Sequence, residues 1–249
     1  MNDLLVPSQE LQTLQAIFAA FPVPSVFMVS DCETTGFSPT SDFIIDVGWA
    51  IGKNGSLHDC GNLLLNWSLV PGVDHGFIRS QLVKQARNYA EAGRPHFYSW
   101  ERLCDEGIHP HEAMYAYIDT MYRYITSGKS AIVGHGLWSF DRRMINAYTS
   151  KYMSGYSLPW DIATIFDTGI VEKAMQCNRP PMGGEQLDEW NYAVNSLYSR
   201  CKWNLSGHCA QKYGLFERYG LDGNNAHTGG FDCQLVYYFL DTLIRLAAV

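Results

Sequence analysis

The sequence predicts an α/β protein whose mixed β-sheet is covered by helices. Three observations predict it. Apolar β-type runs crowd the first 70 residues, helical periodicity fills the middle and the end, and a short apolar run at 131–134 sits among those helices. The composition agrees: 47% of the 249 residues are hydrophobic and 17% are charged, a globular balance rather than a disordered one. That length is ample for one sizeable core, and without an internal repeat, low-complexity tract or linker it reads as a single domain over 1–249.

The elements follow in order. Ser8, Glu10 and Leu11 open a helix at about 8–21, with Leu11, Leu14, Ile17 and Phe18 on one face and Pro22 ending it. Val26–Val29 is a short strand and Phe43–Gly52 a second. Lys53-Asn54-Gly55 is a turn, and Asn62–Val70 is a third strand, together an antiparallel meander. Helices are expected at 78–92 and at 111–125, the latter with Met114, Tyr117, Ile118 and Met121 at helical spacing. A buried strand at 131–134 precedes a helix at 141–152, and a strand near 162–166 leads into a helix at 169–175. From 176 to 207 the periodicity weakens around Pro180-Pro181 and Gly183-Gly184, which reads as an insertion on the surface. A helix from about Gly230 closes the chain, with Leu235, Phe239, Leu243 and Leu246 inward.

Eighteen basic against 25 acidic residues leave a net charge of −7. This excludes a protein that coats duplex by bulk attraction, but not an enzyme that grips a few nucleotides. The apolar stretch 16–29 is broken by Pro22 and Pro24, is too short to span a bilayer, and has no basic region before it. Seven scattered cysteines without a CxxC read as free thiols in a reducing, cytoplasmic setting, and no Cys/His pair has zinc-ligand spacing.

Three motifs carry chemistry. In Ser30-Asp31-Cys32-Glu33-Thr34-Thr35-Gly36, Asp31 and Glu33 stand two apart at a strand end and so point the same way. Adjacent anions are unfavourable unless a cation lies between them, and oxygen ligands suit Mg²⁺ or Mn²⁺. In Val133–Asp141 a strand ends, a loop follows and Asp141 opens a helix, where a carboxylate complements the dipole. In His227-Thr228-Gly229-Gly230-Phe231-Asp232, a histidine and an aspartate bracket the start of the last helix. Taken singly, each also reads as ordinary structure.

Together the three motifs resemble the DEDD 3′→5′ exonucleases of the ribonuclease-H-like fold, in the subgroup with a histidine. The resemblance covers roughly 24–247 and matches Asp31, Glu33, Asp141, His227 and Asp232 to the five catalytic positions. Thr34-Thr35-Gly36 extends the first motif, His75-Gly76-Phe77-Ile78 is similar to the family's His-Gly-Ile element, and 209–215 to the helix before the third motif. The chain departs at His135-Gly136, where the family usually carries His-Asn, and in the longer span from Asp141 to His227.

The resemblance implies a mixed central sheet flanked by helices on both faces. It implies two-metal phosphodiester hydrolysis at the 3′ end of single-stranded nucleic acid, DNA before RNA, releasing nucleoside 5′-monophosphates. Asp31, Glu33, Asp141 and Asp232 would hold two Mg²⁺ ions, with Mn²⁺ able to substitute, and His227 would act as general base. Thr34, Thr35, Gly36, Phe37, His75 and Phe77 would meet the substrate, exposed aromatics by stacking on bases. The family also includes the proofreading subunit of bacterial DNA polymerase, but no polymerase partner is evident here. A homodimer stays open, and a catalytically silent nucleic-acid-binding scaffold is the reading from another class.

Overall fold

The computed structural model describes residues 6–125, 128–153, 156, 158–161 and 163–248. Its centre is a five-stranded sheet in the order β3-β2-β1-β4-β5. The strands are β1 (Val26–Thr34), β2 (Ile44–Lys53), β3 (Ser56–Leu64), β4 (Ser130–Gly134) and β5 (Thr164–Asp167). The first three form the expected antiparallel meander, and β4 and β5 run parallel to β1. The third strand begins directly after the Asn54-Gly55 turn rather than at Asn62. Asn54 and Gly55 both take positive φ, which lets the chain reverse in two residues and starts pairing at once. The expected end of that strand, 65–70, instead holds a 3₁₀ turn over Trp67–Leu69. The expected start of the fifth strand, Ile162, lies outside the described residues.

Ten helices are described: α1 (Ser8–Ala20), α2 (His75–Glu91), α3 (Trp100–Glu106), α4 (Pro110–Tyr124), α5 (Asp141–Tyr152), α6 (Thr168–Gln176), α7 (Leu187–Asn195), α8 (Ala210–Lys212), α9 (Leu215–Tyr219) and α10 (Gly229–Ala247). They cover both faces of the sheet. Side-chain alternation along β1 divides the core: Met28 and Cys32 enter a cluster with α4 and α5, whereas Phe27 and Val29 enter one with α1, α6 and α10. Met114, Tyr117, Ile118 and Met121 of α4 are all buried, as are Leu235, Phe239 and Leu243 of α10. Asp31 and Glu33 share the parity of Val29, so they lie on the α10 face.

Residues 176–207 are not wholly a surface excursion. Within them α7 packs one face into the core, with Trp190 and Asn191 fully enclosed and Tyr192 exposed on the other side. The Trp190 ring packs on Phe21 of the N-terminal region at 5.6 Å, and its indole N–H donates to the Arg179 carbonyl at 3.2 Å. Pro and Gly flank the helix rather than interrupt it, and Gln186 with Glu189 forms a capping box. Nine residues give too short a periodic pattern to stand out from that setting.

One backbone contact places α10. A Cβ on Gly48 of β2 would lie 2.1 Å from the carbonyl of Gly229, so helix and strand approach as closely as bare backbone allows. Gly48→Ala should therefore destabilise by about 1–3 kcal/mol in urea unfolding, through overpacking. Trp190→Ala should cost about 3–5 kcal/mol in the same assay, and an effect near zero would return α7 to the surface.

Candidate active site

β4 stops short of β1. Its last pairing is Val133 with Val29, so β1 runs on alone from Ser30 along that edge. The free edge is used by Asp141, the first residue of α5, whose Oδ1 accepts from the Cys32 N–H at 3.1 Å and lies 3.3 Å from its thiol. Burial nonetheless outweighs these bonds and pushes the Asp141 carboxyl up to about 7.

The 134–141 loop is tied down from β5. Asp167 accepts from Gly136 N–H at 3.0 Å and Trp138 N–H at 2.9 Å while also capping α6. His135 bridges the Thr168 hydroxyl and the Trp203 carbonyl. A carbonyl can only accept, so the ring proton sits on Nε2, and burial favours the neutral imidazole.

Asp31 and Glu33 project from β1 toward α10. Burial raises both carboxyls well above the usual range. Asp141 is the next largest cause at Asp31, and Asp232 at Glu33. Oδ2 of Asp31 is buried with no hydrogen-bond partner. Asp232, in the first turn of α10, accepts from the His227 N–H at 3.1 and 3.2 Å, yet burial pushes it up to about 7. His227 has a φ of 71°, a strained conformation for a non-glycine residue. Its ring stands edge-on to Tyr89 at 5.3 Å. Burial, then Arg94 and His96, lower its pKa and keep the imidazole neutral near pH 7. Glu33, His227 and Asp232 each present a ligand atom within 4.8 Å of the other two. The ring of His227 thus stands at metal-ligand spacing from two of the carboxylates.

The five residues of the three motifs converge on one place, and a sixth joins them. Asp46 of β2 pairs in register with Glu33 and is fully buried. It accepts from the Tyr98 hydroxyl at 2.7 Å, from Asn62 at 3.0 Å and from the Gly229 N–H at 3.2 Å. Asp46 therefore holds the start of α10 against β2, beside Asp232. An aspartate inside the apolar run Ile44-Ile45-Asp46-Val47 was the available signal, because a buried charge needs a reason. Gln85, Tyr89, His96 and Tyr98 line the cleft around Glu33 and His227. No motif points to them, because α2 and the loop after it reach the site only through tertiary packing.

The residues expected at the substrate divide into two groups. Phe37 is 88% exposed and rests edge-on against Phe140, beside the first motif. Gly36 leaves room where a Cβ would meet the Asp42 carboxylate at 2.6 Å. The hydroxyls of Thr34 and Thr35 are engaged inside the turn, with the Gly36 carbonyl and with Asp42. His75 bonds the Val70 carbonyl and packs on Trp100, and Phe77 packs on Phe43.

No family model matches the sequence, and no curated protein matches it. Solved structures do match. The chain aligns over 90% of its length with the crystal structure of E. coli Exonuclease I in complex with a dA16 oligonucleotide, at 16% identity and a TM-score of 0.55. The zinc-bound form of the E. coli ExoI–ssDNA complex gives 16% and 0.56 over the same share. A further Exonuclease I structure, described as suggesting how processivity is achieved, gives 17% and 0.55. In each case the chain spans 42% of the neighbour's length. At this identity the likeness shows the fold alone: a mixed sheet covered by helices, as in these Exonuclease I structures.

The raised carboxyls set a pH dependence. Asp141 and Asp232 titrate near 7 in the folded chain, against about 3.9 for an ordinary aspartate. Between these values the metal-free folded chain holds protons that the unfolded chain has released, so its stability falls as pH rises. In EDTA, Tm should be several degrees higher near about pH 5 than near about pH 8. Asp141→Asn should raise the Tm of the metal-free protein at the higher pH, and equal melting of variant and parent would contradict the cost of burying this charge.

Proposed function

We propose that the chain is a metal-dependent 3′→5′ exonuclease that hydrolyses phosphodiester bonds at the ends of single-stranded nucleic acid, with DNA favoured. On this reading residues 1–249 act as one exonuclease domain, and the products are nucleoside 5′-monophosphates. The observation that carries it is the convergence of Asp31, Glu33, Asp141 and Asp232 on one partly buried site, with the buried Oδ2 of Asp31 lacking any partner. The neighbours in fold are ExoI–oligonucleotide complexes, which agrees with the choice of substrate.

The donor set fits divalent cations. Four carboxylates offer oxygen ligands, their pKa values are raised where they lack a counter-charge, and one buried lone pair is unclaimed. Asp31, Glu33, Asp141 and Asp232 would hold two Mg²⁺ or Mn²⁺ ions. Such ions supply positive charge at the scissile phosphate and a water that ionises near neutral pH.

The chain's own residues do the rest. His227 is neutral near pH 7 and accepts the proton of the attacking water, while the Tyr89 edge fixes its ring. Its backbone N–H holds Asp232 in orientation. Asp46 anchors Gly229 and so keeps both ends of this motif together. Phe37, exposed beside the first motif, offers a face on which the terminal base can stack.

Digestion of matched end-labelled DNA and RNA strands with Mg²⁺ or Mn²⁺ tests the proposal. Mononucleotide release from the 3′ end of DNA, abolished by EDTA, is expected. Preference for RNA would favour an oligoribonuclease-like enzyme, and tight binding without cleavage a silent scaffold. His227→Ala should lower kcat by about 10²–10⁴-fold while Mg²⁺ and single-stranded DNA still bind. Calorimetric loss of metal binding in that variant would instead make His227 a ligand.

A further inference from the structure

We propose that Cys177 and Cys201 are a redox-active dithiol, a site of reversible disulfide formation that clips the 196–204 stretch to the end of α6. Cys177 directly follows α6, and its Sγ lies 3.4 Å from that of Cys201. A disulfide bond is about 2.05 Å long, so the sulfurs need to close by roughly 1.4 Å.

The surroundings already hold the two segments together. Gln176, the residue before Cys177, donates from its side-chain amide to the carbonyl of Lys202, the residue after Cys201, at 2.7 Å. One turn back, the Lys173 ammonium donates to the Asn195 carbonyl at 2.9 Å. Bonds on neighbouring residues thus set the spacing that a bridge between the cysteines needs.

Three of the other thiols are shut away, and Cys60 and Cys104 are partly covered but no second thiol is found beside them among the described residues. Cys32, Cys209 and Cys233 are buried, and burial raises each thiol and withholds the reactive thiolate. Cys177 and Cys201 are only partly covered. Burial and the neighbouring Cys201 thiol raise the Cys177 thiol, and Ser199 and Lys173 pull it back. The pair therefore reacts faster in mild alkali than at neutral pH.

The oxidant is a low-molecular-weight disulfide of the glutathione type. One cysteine gives its proton to water, and its thiolate attacks a reagent sulfur. The reagent's S–S bond breaks and one thiolate leaves. The second cysteine loses its proton, attacks the protein sulfur of the mixed disulfide and expels the second thiolate. Two electrons and two protons pass from the protein pair to the reagent, which ends as two thiols. The closed loop contains α7, and the clipped stretch carries Trp203, whose carbonyl meets His135 on the loop leading to Asp141.

The test uses the full chain, oxidised glutathione in mild alkali, alkylation of remaining thiols and peptide mapping without reductant. A 177–201 cross-link that dithiothreitol removes is expected, with a Tm increase of roughly 5 °C or more on oxidation. Cys177→Ser and Cys201→Ser should each lose the cross-link and the Tm gain, and Cys104→Ser should keep both. Recovery of Cys177 and Cys201 alkylated, singly glutathionylated or joined to other cysteines would overturn the proposal. Mapping of the unsubstituted chain decides this even if a variant fails to fold.

Discussion

The cost of gathering carboxylates in one poorly solvated place is the constraint around which this molecule is organised, with burial the largest cause and repulsion the next at Asp31 and Glu33. Asp46, Asp141 and Asp232 raise the carboxyls of Asp31 and Glu33, and none of the five forms an ion pair with a basic side chain among the described residues. Hydrogen bonds offset part of the cost at Asp46, Asp141 and Asp232. They do not reach the buried Oδ2 of Asp31. An isolated protein gains nothing from such crowding. A protein that binds cations there recovers the cost on binding, which is why the arrangement points to function rather than to stability.

Holding anions together requires a rigid frame, and the frame is backbone. β1 extends past β4, which exposes the Cys32 N–H to Asp141. Gly48 and Gly229 bring α10 against β2 without a side chain between them, and Asp46 fastens that contact with a hydrogen bond. Asp167 gathers the N–H groups of the 134–141 loop. The strained φ of His227 is retained at the point where its N–H meets Asp232. The strain at His227 and the contact of Gly48 with Gly229 therefore lie beside the acids, as expected when a site is preorganised at the expense of local stability.

Fold and chemistry remain separate conclusions. The likeness to Exonuclease I concerns the path of the chain, and many functions share one path. The chemical reading rests instead on which side chains the path brings together. Asp46, Tyr89 and Tyr98 belong to that reading although no motif marks them. Conversely, the Thr34 and Thr35 hydroxyls stand inside a motif yet serve the turn that shapes it.

The sequence by itself determined the elements whose signal is local. Alternation placed Asp31 and Glu33 on one face of β1, helical spacing marked Met114 to Met121 and Leu235 to Leu243, and the Asn54-Gly55 turn marked the β2–β3 hairpin. The motif order anticipated the meeting of Asp31, Glu33, Asp141, His227 and Asp232. Only the tertiary structure decided the rest. Asp46 joins the acids because β2 pairs with β1 in one register, and register is a contact between segments rather than a property of either. Trp190 becomes core because Phe21, some 170 residues away, provides its partner. Cys177 and Cys201 meet where α6 bonds to the end of α7 and to Lys202 beyond it. Composition and periodicity cannot encode such pairings, because they describe neighbours along the chain and these neighbours exist only across it.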